Sequence, residues 1–149
     1  MREILFRGKD VETGEWIEGF YVCLNSKGHR IYNGYAETDC GDYYPDFWKV
    51  DPSTVGQYTG LTDKNGKRIF EGDVFRYDYA GLEGIAVVTF GEYSFGADRC
   101  KNNVGFYANW ISSPAYYRQD LCFWVCVRGV EIVGNIHDNP ELLKGGAVK

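Results

Sequence analysis

The chain has 149 residues, the size of one ordinary domain, and its 44% hydrophobic and 25% charged content are typical of a packed globular protein. The formal net charge is −5 and no basic block occurs, which weighs against a general binder of phosphate backbones. The opening residues MREILFRGKD hold no secretory apolar core, and no apolar run is long enough to span a membrane.

Aromatic residues make up 17% of the chain, and glycine occurs 19 times, a combination that favours β structure with tight turns. The cysteines are odd in number and include no Cys-x-x-Cys pair, so we expect reduced thiols in a cytosolic setting.

The N-terminal segment predicts two β-hairpins. Extended runs on either side of Asp10–Gly14 predict the first, and FYVCL and HRIYNGYA around Asn25–Gly28 predict the second. Residues 37–54 read as an irregular, aromatic loop that must bury some of its rings against its own fold or against another chain.

The run QYTGLTDKNGKRIFEGDVF has a glycine every six residues. We interpret it as a turn at Asp63–Gly66, a short extended piece at Lys67–Phe70 and a second turn at Glu71–Asp73, with Asp73 bonding to nearby backbone N–H groups. The residues assigned to these turns are Gly60, Asn65, Gly66, Gly72 and Asp73.

Later segments predict further short strands. Val74–Tyr77, Ile85–Phe90, Leu121–Val127 and Gly129–Ile136 are β-rich or apolar enough to form them, Ser113-Pro114 is a possible helix start, and Asn139 begins one capped helical turn. The fold class is therefore mostly β: a small SH3-like β-barrel over residues 56–143, with additional N-terminal β-hairpin elements and a short C-terminal helical turn. We expect one unit over residues 1–149, with a possible boundary near 52–56.

Three blocks resemble the YopX family of phage and prophage proteins: MREILFRGKDVETGEWI, VDPSTVGQYTGLTDKNGKRIFEGDVF and EIVGNIHDNPELL. Residues 18–48 and 91–128 match only loosely. The resemblance implies a small SH3-type barrel with extra β elements, a homo-oligomer, and a phage-encoded protein that acts in the bacterial host cytoplasm. It carries over no catalytic or ligand residues.

The cysteines and histidines predict no metal site and no cofactor. If Cys122 and Cys126 lie in a strand, their thiols are roughly 13 Å apart, too far for one metal or a disulfide, so we expect buried, inert thiols. Neither His29 nor His137 is accompanied by a closely spaced cysteine pair, and His137 reads as a hydrogen-bonding residue of a turn.

The acidic residues give no catalytic pair. Glu37, Asp39, Asp42 and Asp46 lack the spacing of a calcium loop and read as solvated loop carboxylates. Turn formation accounts for the carboxylates of Glu71-Gly72-Asp73, and no nucleophile or phosphate-binding motif occurs, so we do not expect an enzyme.

Basic and aromatic residues do mix in two places, as they do in single-strand nucleic-acid binders. One mixture lies within residues 99–118, and the other is the candidate patch of Lys64, Lys67, Arg68, Arg76 and Tyr58. Alternatively, these rings pack the barrel and subunit contacts. The sequence favours a non-enzymatic phage accessory protein that acts by binding, as a homo-oligomer and with an unidentified host or phage partner. A nucleic-acid binder is the alternative, and no membrane association is expected.

Overall fold

The computed structural model describes residues 3–25, 28–79, 81–94, 101–111 and 119–144. The chain divides into two compact units, Met1–Tyr58 and Thr59–Lys149. Two antiparallel sheets, of six and four strands, and a short C-terminal helical turn confirm the expected mostly-β class. Within the described residues, the strand pairings do not close either sheet into a barrel.

Among the residues that the structure describes, ten strands make up the two sheets. They are β1 (Phe6–Lys9), β2 (Trp16–Leu24), β3 (Gly28–Glu37), β4 (Tyr43–Lys49), β5 (Gly56–Thr62), β6 (Arg68–Phe70), β7 (Asp73–Tyr79), β8 (Leu82–Ser94), β9 (Lys101–Trp110) and β10 (Glu131–Asn135). The strand orders are β4-β3-β2-β1-β5-β6 and β10-β7-β8-β9. The second is the order of a Greek key, because three consecutive strands lie side by side and the fourth returns to the first.

In the described ranges, helical structure is confined to short segments. They are a 3-10 turn at Pro52–Thr54, an α-helical turn α1 (Leu121–Phe123) that continues as a π-helical segment (Trp124–Arg128), and a 3-10 turn at Pro140–Lys144. The last of these confirms the predicted C-terminal helical turn. No helix within the described residues has the length and apolar character needed to cross a membrane.

The N-terminal unit contains both predicted hairpins, since β1 pairs with β2 and β2 pairs with β3. The loop of the first hairpin is closed by Asp10, whose Oδ2 accepts hydrogen bonds from the backbone N–H and the hydroxyl of Thr13 at 3.1 and 2.9 Å. The irregular loop expected over residues 37–54 is only partly right, because β4 occupies its centre and pairs with β3. Tyr, Phe and Trp at close spacing favour a strand, and this preference outweighed the turn-forming Pro45 and Asp46.

The C-terminal unit has a ring-rich core around Trp124. The indole of Trp124 contacts Tyr77 and Trp110 edge-on, with centroid distances of 4.9 and 4.8 Å. Leu121, one turn earlier in the helical segment, is also buried. The other buried members of this core are Ile69, Phe75, Ala86, Val88, Ala108, Val130 and Ile132.

The prediction of a strand over Leu121–Val127 is wrong. The Asp120 side chain caps a helix there, accepting a hydrogen bond from the backbone N–H of Cys122 at 3.0 Å, and Gly129 in the left-handed region ends it with a φ of 70°. Buried Leu121 and Trp124 stand three residues apart, which is helical spacing, but a short apolar run does not separate helix from strand. The predicted strand at Gly129–Ile136 is present as the shorter β10, and the possible helix at Ser113-Pro114 lies outside the described residues.

The glycine-spaced run forms turns that side-chain carboxylates hold. Gly66 and Gly72 lie in the predicted turns with φ of 81° and 85°, a region that glycine adopts without strain. Gly60 was also predicted as a turn residue, but it lies within β5 with a φ of 85°. Asp73 is buried, and its Oδ2 accepts a hydrogen bond from the backbone N–H of Phe70 at 2.8 Å. A carboxylate therefore closes the second turn from within.

Asp63 connects the first of these turns to the C-terminal strand. Its Oδ1 accepts hydrogen bonds from the backbone N–H groups of Asn65 and Lys67 at 2.8 and 2.9 Å, and its Oδ2 accepts one from Ile132 at 3.2 Å. Burial by itself would raise the pKa of Asp63, but these hydrogen bonds and the charge of Lys67 outweigh it and lower the pKa. The ionised carboxylate is thus part of the folded structure.

Candidate binding surface on the N-terminal sheet

One face of strands β1–β4 gathers aromatic and basic side chains. Residues opposite each other on adjacent strands project to the same side, and register pairs Phe20 with Tyr32 and Tyr32 with Phe47. A bulge between Tyr32 and Gly34 then brings Tyr35 onto that same side. We call this side the ring face. Its aromatic and basic members are Trp16, Phe20, Tyr32, Tyr35, Tyr43 and Phe47 with Arg7, Lys9, Arg30 and Lys49.

Three rings of the ring face are largely exposed: Tyr35 at 75%, Tyr43 at 69% and Phe20 at 64% of their surface. Phe20, Tyr32, Tyr35 and Pro45 line a groove of about 430 Å³, together with Val22, Asn33 and Gly34. Large apolar side chains that are exposed next to one another are typical of a binding surface.

The charges of this unit are segregated. All four Lys and Arg residues that the structure describes in it lie on the ring face, against the two carboxylates of Glu18 and Glu37. The Arg7 guanidinium and the Lys9 ammonium lie over the Trp16 ring, 4.6 and 5.4 Å from its centroid. The ring face is locally positive although the whole chain carries a net charge of −5.

Arg30 and Lys49 are directly opposite each other on β3 and β4. The Arg30 guanidinium lies 4.1 Å from the centroid of Phe47, and its Nε is buried with no hydrogen-bond partner among the described residues. Within the described residues neither side chain forms an ion pair. Like charges at opposite positions destabilise a sheet, and an anion bound between them relieves that repulsion. The pair is therefore suited to hold a phosphate or carboxylate group.

The opposite face of the same strands is largely packed. Ile31 is fully buried there, and the Tyr21 hydroxyl is hydrogen-bonded to Nδ1 of His29. Burial, followed by the charge of Cys23 and a hydrogen bond with it, raises the pKa of Tyr21. Tyr44 also belongs to this face by its register with Ala36, and it is 50% exposed. Tyr44 is thus a half-exposed ring on the other side of β4, away from the ring face.

The sequence-predicted basic patch shares no residue with the ring face. Lys64 Nζ lies 2.7 Å from Oε2 of Glu131, and an Arg76 nitrogen lies 3.9 Å from the same oxygen. The hydrogen bond and charge of Lys64, and then the charge of Arg76, lower the pKa of Glu131. Lys67 and Arg68 are exposed, whereas Tyr58 is only 8% exposed and its ring offers little surface for stacking. Glu131 thus offsets two of the four cations.

The remaining candidate residues have structural positions. Asp39 and Asp42 lie in the turn before β4, whereas Glu37 and Asp46 belong to strands rather than to a loop. The backbone N–H of His137 donates to Oδ1 of Asn135 at 3.0 Å, in a turn as expected. In the part of the chain that the structure describes, no group of three His, Cys, Asp or Glu side chains is placed to hold a metal ion.

The sequence contains a signal for the ring face within residues 37–54, the segment predicted as an irregular loop. Tyr43, Pro45, Phe47 and Lys49 occupy alternate positions, which is the period of a strand with one distinct face. Reading that segment as a loop removed the face on which these side chains meet Arg30 and Tyr32.

The fold and this surface define a mostly-β protein with two antiparallel sheets, one of which presents rings and cations to solvent. The chain belongs to the YopX family, whose model, described as YopX protein, matches residues 5–144. It is also similar to the crystal structure of protein EF1440 from Enterococcus faecalis, with a TM-score of 0.56 and 23% identity over 97% of this chain and 100% of that chain. At this identity the likeness shows the fold alone. Among curated proteins, no sequence matches this chain.

Proposed function

We propose that this protein is a non-enzymatic phage accessory protein that binds single-stranded nucleic acid on the ring face, in the cytoplasm of the bacterial host. The phage setting is what the resemblance to the family implies. The observation that carries the binding function is the opposed pair Arg30 and Lys49, which has no acidic partner among the described residues and lies on the same face as the exposed rings. Binders of single strands combine these two features, cations that track the backbone and rings that stack the bases.

The layout assigns roles to the side chains. Phosphate oxygens are held by Arg30 and Lys49, and bases stack on Phe20, Tyr35 and Tyr43, which are the most exposed rings of the face. Stacking tolerates any base because every base has a π-face, so we expect little sequence preference. Binding should weaken as the salt concentration rises, because contacts between these cations and phosphates release counterions.

Truncating one stacking ring tests this function. Tyr35→Ala should weaken binding of a labelled thymidine oligonucleotide of about 15 nucleotides by roughly 5- to 150-fold, because a stacked base contributes about 1–3 kcal/mol. Tyr44→Ala is the matched control. Because Tyr44 lies on the opposite face, this variant should bind the oligonucleotide like the unmodified protein. Fluorescence anisotropy at low salt measures both. No binding by the unmodified protein, or equal losses in the two variants, would refute the proposal.

Self-association is a second candidate, and the position of β4 favours it. β4 is an edge strand of the six-stranded sheet, and an edge strand presents backbone groups that a second copy can pair with. β4 itself contains the exposed rings Tyr43 and Tyr44, and tyrosine is enriched at interfaces. Pairing between two β4 strands would give a symmetric dimer.

Light scattering on the protein without nucleic acid should then give the mass of a dimer or larger assembly at micromolar concentration. The mass should fall on dilution if the contact is a single pair of edge strands. A monomer throughout that range would remove the self-association candidate and leave the nucleic-acid proposal untouched, because the ring face belongs to one chain.

We keep an SH3-like arrangement of residues 56–143 as a fold hypothesis. The Greek-key order β10-β7-β8-β9 supports it, since small barrels are commonly built from such units.

A further inference from the structure

Two thiols meet on the outer side of the helical segment that begins at Leu121. The Sγ atoms of Cys122 and Cys126 are 3.6 Å apart, and both side chains are exposed. Positions four apart on a helix are neighbours, which is why these thiols meet here instead of standing apart as they would in a strand. Leu121 and Trp124 point the other way and are buried in the core. The thiols are therefore reachable from solvent without disturbing that core.

We propose that Cys122 and Cys126 form a reversible redox site that closes to a disulfide in the presence of a hydroperoxide. The expectation of buried thiols is wrong for this pair, because both side chains are exposed. Its two members are held within contact distance by helix geometry, whereas Cys23 and Cys40 are exposed singly. Cys100 lies outside the described residues.

The reaction balances with hydrogen peroxide as the oxidant. One thiol, as its thiolate, attacks a peroxide oxygen; an S–O bond forms, the O–O bond breaks, and hydroxide leaves and is protonated to water. The second thiolate attacks the sulfenic sulfur, the S–S bond forms, and the S–O bond breaks with release of a second water. Two thiols and one hydrogen peroxide become one disulfide and two waters, and a small thiol reductant reverses the change.

Helix geometry makes the bond reducible. Cβ atoms four residues apart on a helix are about 5–6 Å apart, whereas a relaxed disulfide brings them to about 3.5–4.5 Å. Closing the bond therefore bends the helical segment, and a disulfide formed under such a constraint is more readily reduced. Exposure gives the reductant access to both sulfurs. Strained and exposed disulfides are the labile, regulatory kind.

The environment of Cys122 disfavours its thiolate and so makes oxidation of the pair slow. The hydrogen bond with Cys126 is the main cause that raises the pKa of Cys122, followed by burial and by the negative charges of Cys126 and Asp120. Because the thiolate is also the form that attacks peroxide, a raised pKa slows this reaction and an excess of peroxide is needed to complete it. This arrangement differs from the activated thiols of disulfide oxidoreductases.

The test treats the full chain with hydrogen peroxide, blocks the remaining thiols with N-ethylmaleimide and measures mass. We expect two of the five thiols to escape alkylation, with a cross-link located between Cys122 and Cys126 and recovery of both thiols after dithiothreitol. In Cys126→Ser this protected pair should be absent. The control Cys23→Ser should lose alkylation at Cys122 and Cys126 as the unmodified protein does.

Three outcomes would overturn the proposal. Cys122 and Cys126 could both remain fully alkylatable after peroxide treatment, the cross-link could involve Cys100 or a second chain instead, or Cys126→Ser could retain an intramolecular cross-link at Cys122. Since the variants change exposed side chains, circular dichroism should match that of the unmodified protein.

Discussion

Asp63→Ala is expected to lower the free energy of unfolding by about 3 kcal/mol, because three backbone N–H groups lose their acceptor and each such loss costs about 1–3 kcal/mol when the donor stays buried. The N–H of Ile132 is the most costly of the three, since Ile132 is only 8% exposed. The N–H groups of Asn65 and Lys67 belong to exposed residues and regain water more easily.

Urea denaturation measures this loss, and Asp78→Ala is the matched control. Asp78 is an exposed aspartate on β7 of the same unit, and its replacement should change stability by less than about 0.5 kcal/mol. Asp63→Asn should fall between the two, because its amide oxygen still accepts hydrogen bonds from the turn. Equal stabilities for Asp63→Ala and Asp78→Ala would show that the carboxylate does not hold the turn to β10.

The same carboxylate makes stability depend on pH. The pKa of Asp63 is lower in the folded protein than in the unfolded chain, where it is about 3.9. Its contribution is therefore complete above the unfolded value and is lost as the pH falls through the folded value. We expect the stability difference between the unmodified protein and Asp63→Asn to be constant near neutral pH and to shrink in acid.

The sequence around Asp63 predicts the turn that this residue stabilises, but it does not predict the hydrogen bond that Asp63 accepts from Ile132. Asp-Lys-Asn-Gly predicts a turn from residue preferences alone, and the carboxylate accepts from the backbone of its own turn as such residues commonly do. The hydrogen bond from Ile132 joins positions 69 residues apart, and no spacing rule encodes it. It forms because the fold brings β10 beside this turn.

Backbone hydrogen bonds join two of the sequence blocks that carry the family resemblance. Lys64 donates its backbone N–H to the carbonyl of Val130 at 3.0 Å, and Ile136 donates to the carbonyl of Gly72 at 2.9 Å. These bonds link the middle block to the C-terminal block or its edge. Their residue types are thus explained by folding, and family membership gives no indication of the ring face, which lies largely in the loosely matching residues 18–48.

The predictions for two segments were wrong for the same physical reason. Short runs of aromatic and apolar residues are compatible with more than one backbone conformation. Residues 121–127 satisfy a strand by composition but fold as a helix because Asp120 caps them and Trp124 fills the core. Residues 43–49 contain a proline and an aspartate that are typical of a loop, yet their alternate rings pair with β3. In both segments the tertiary neighbours decided the outcome, and both candidate sites depend on it.

Reversing the charges of Arg30 and Lys49 should abolish most nucleic-acid binding. Losing two charged contacts to phosphate, at about 1.5 kcal/mol or more each, predicts at least roughly 100-fold weaker binding in Arg30→Glu/Lys49→Glu. The slope of log affinity against log salt should fall by about 1.4, since each contact with a single strand contributes about 0.7. Lys49→Glu alone should have part of both effects, and because Lys49 is exposed it leaves the sheet intact.

Lys67→Glu/Arg68→Glu is the decisive comparison, because it makes the same charge change on the exposed residues of the other basic patch. Binding on the ring face predicts that this variant keeps nearly the full affinity and salt slope, apart from a small long-range repulsion that disappears near physiological salt. If instead this variant loses binding while Arg30→Glu/Lys49→Glu retains it, the nucleic acid is held at residues 64–76 and the role of the ring face is wrong. The salt slope separates the two surfaces even where their affinities are similar, because only the surface that holds phosphates releases counterions.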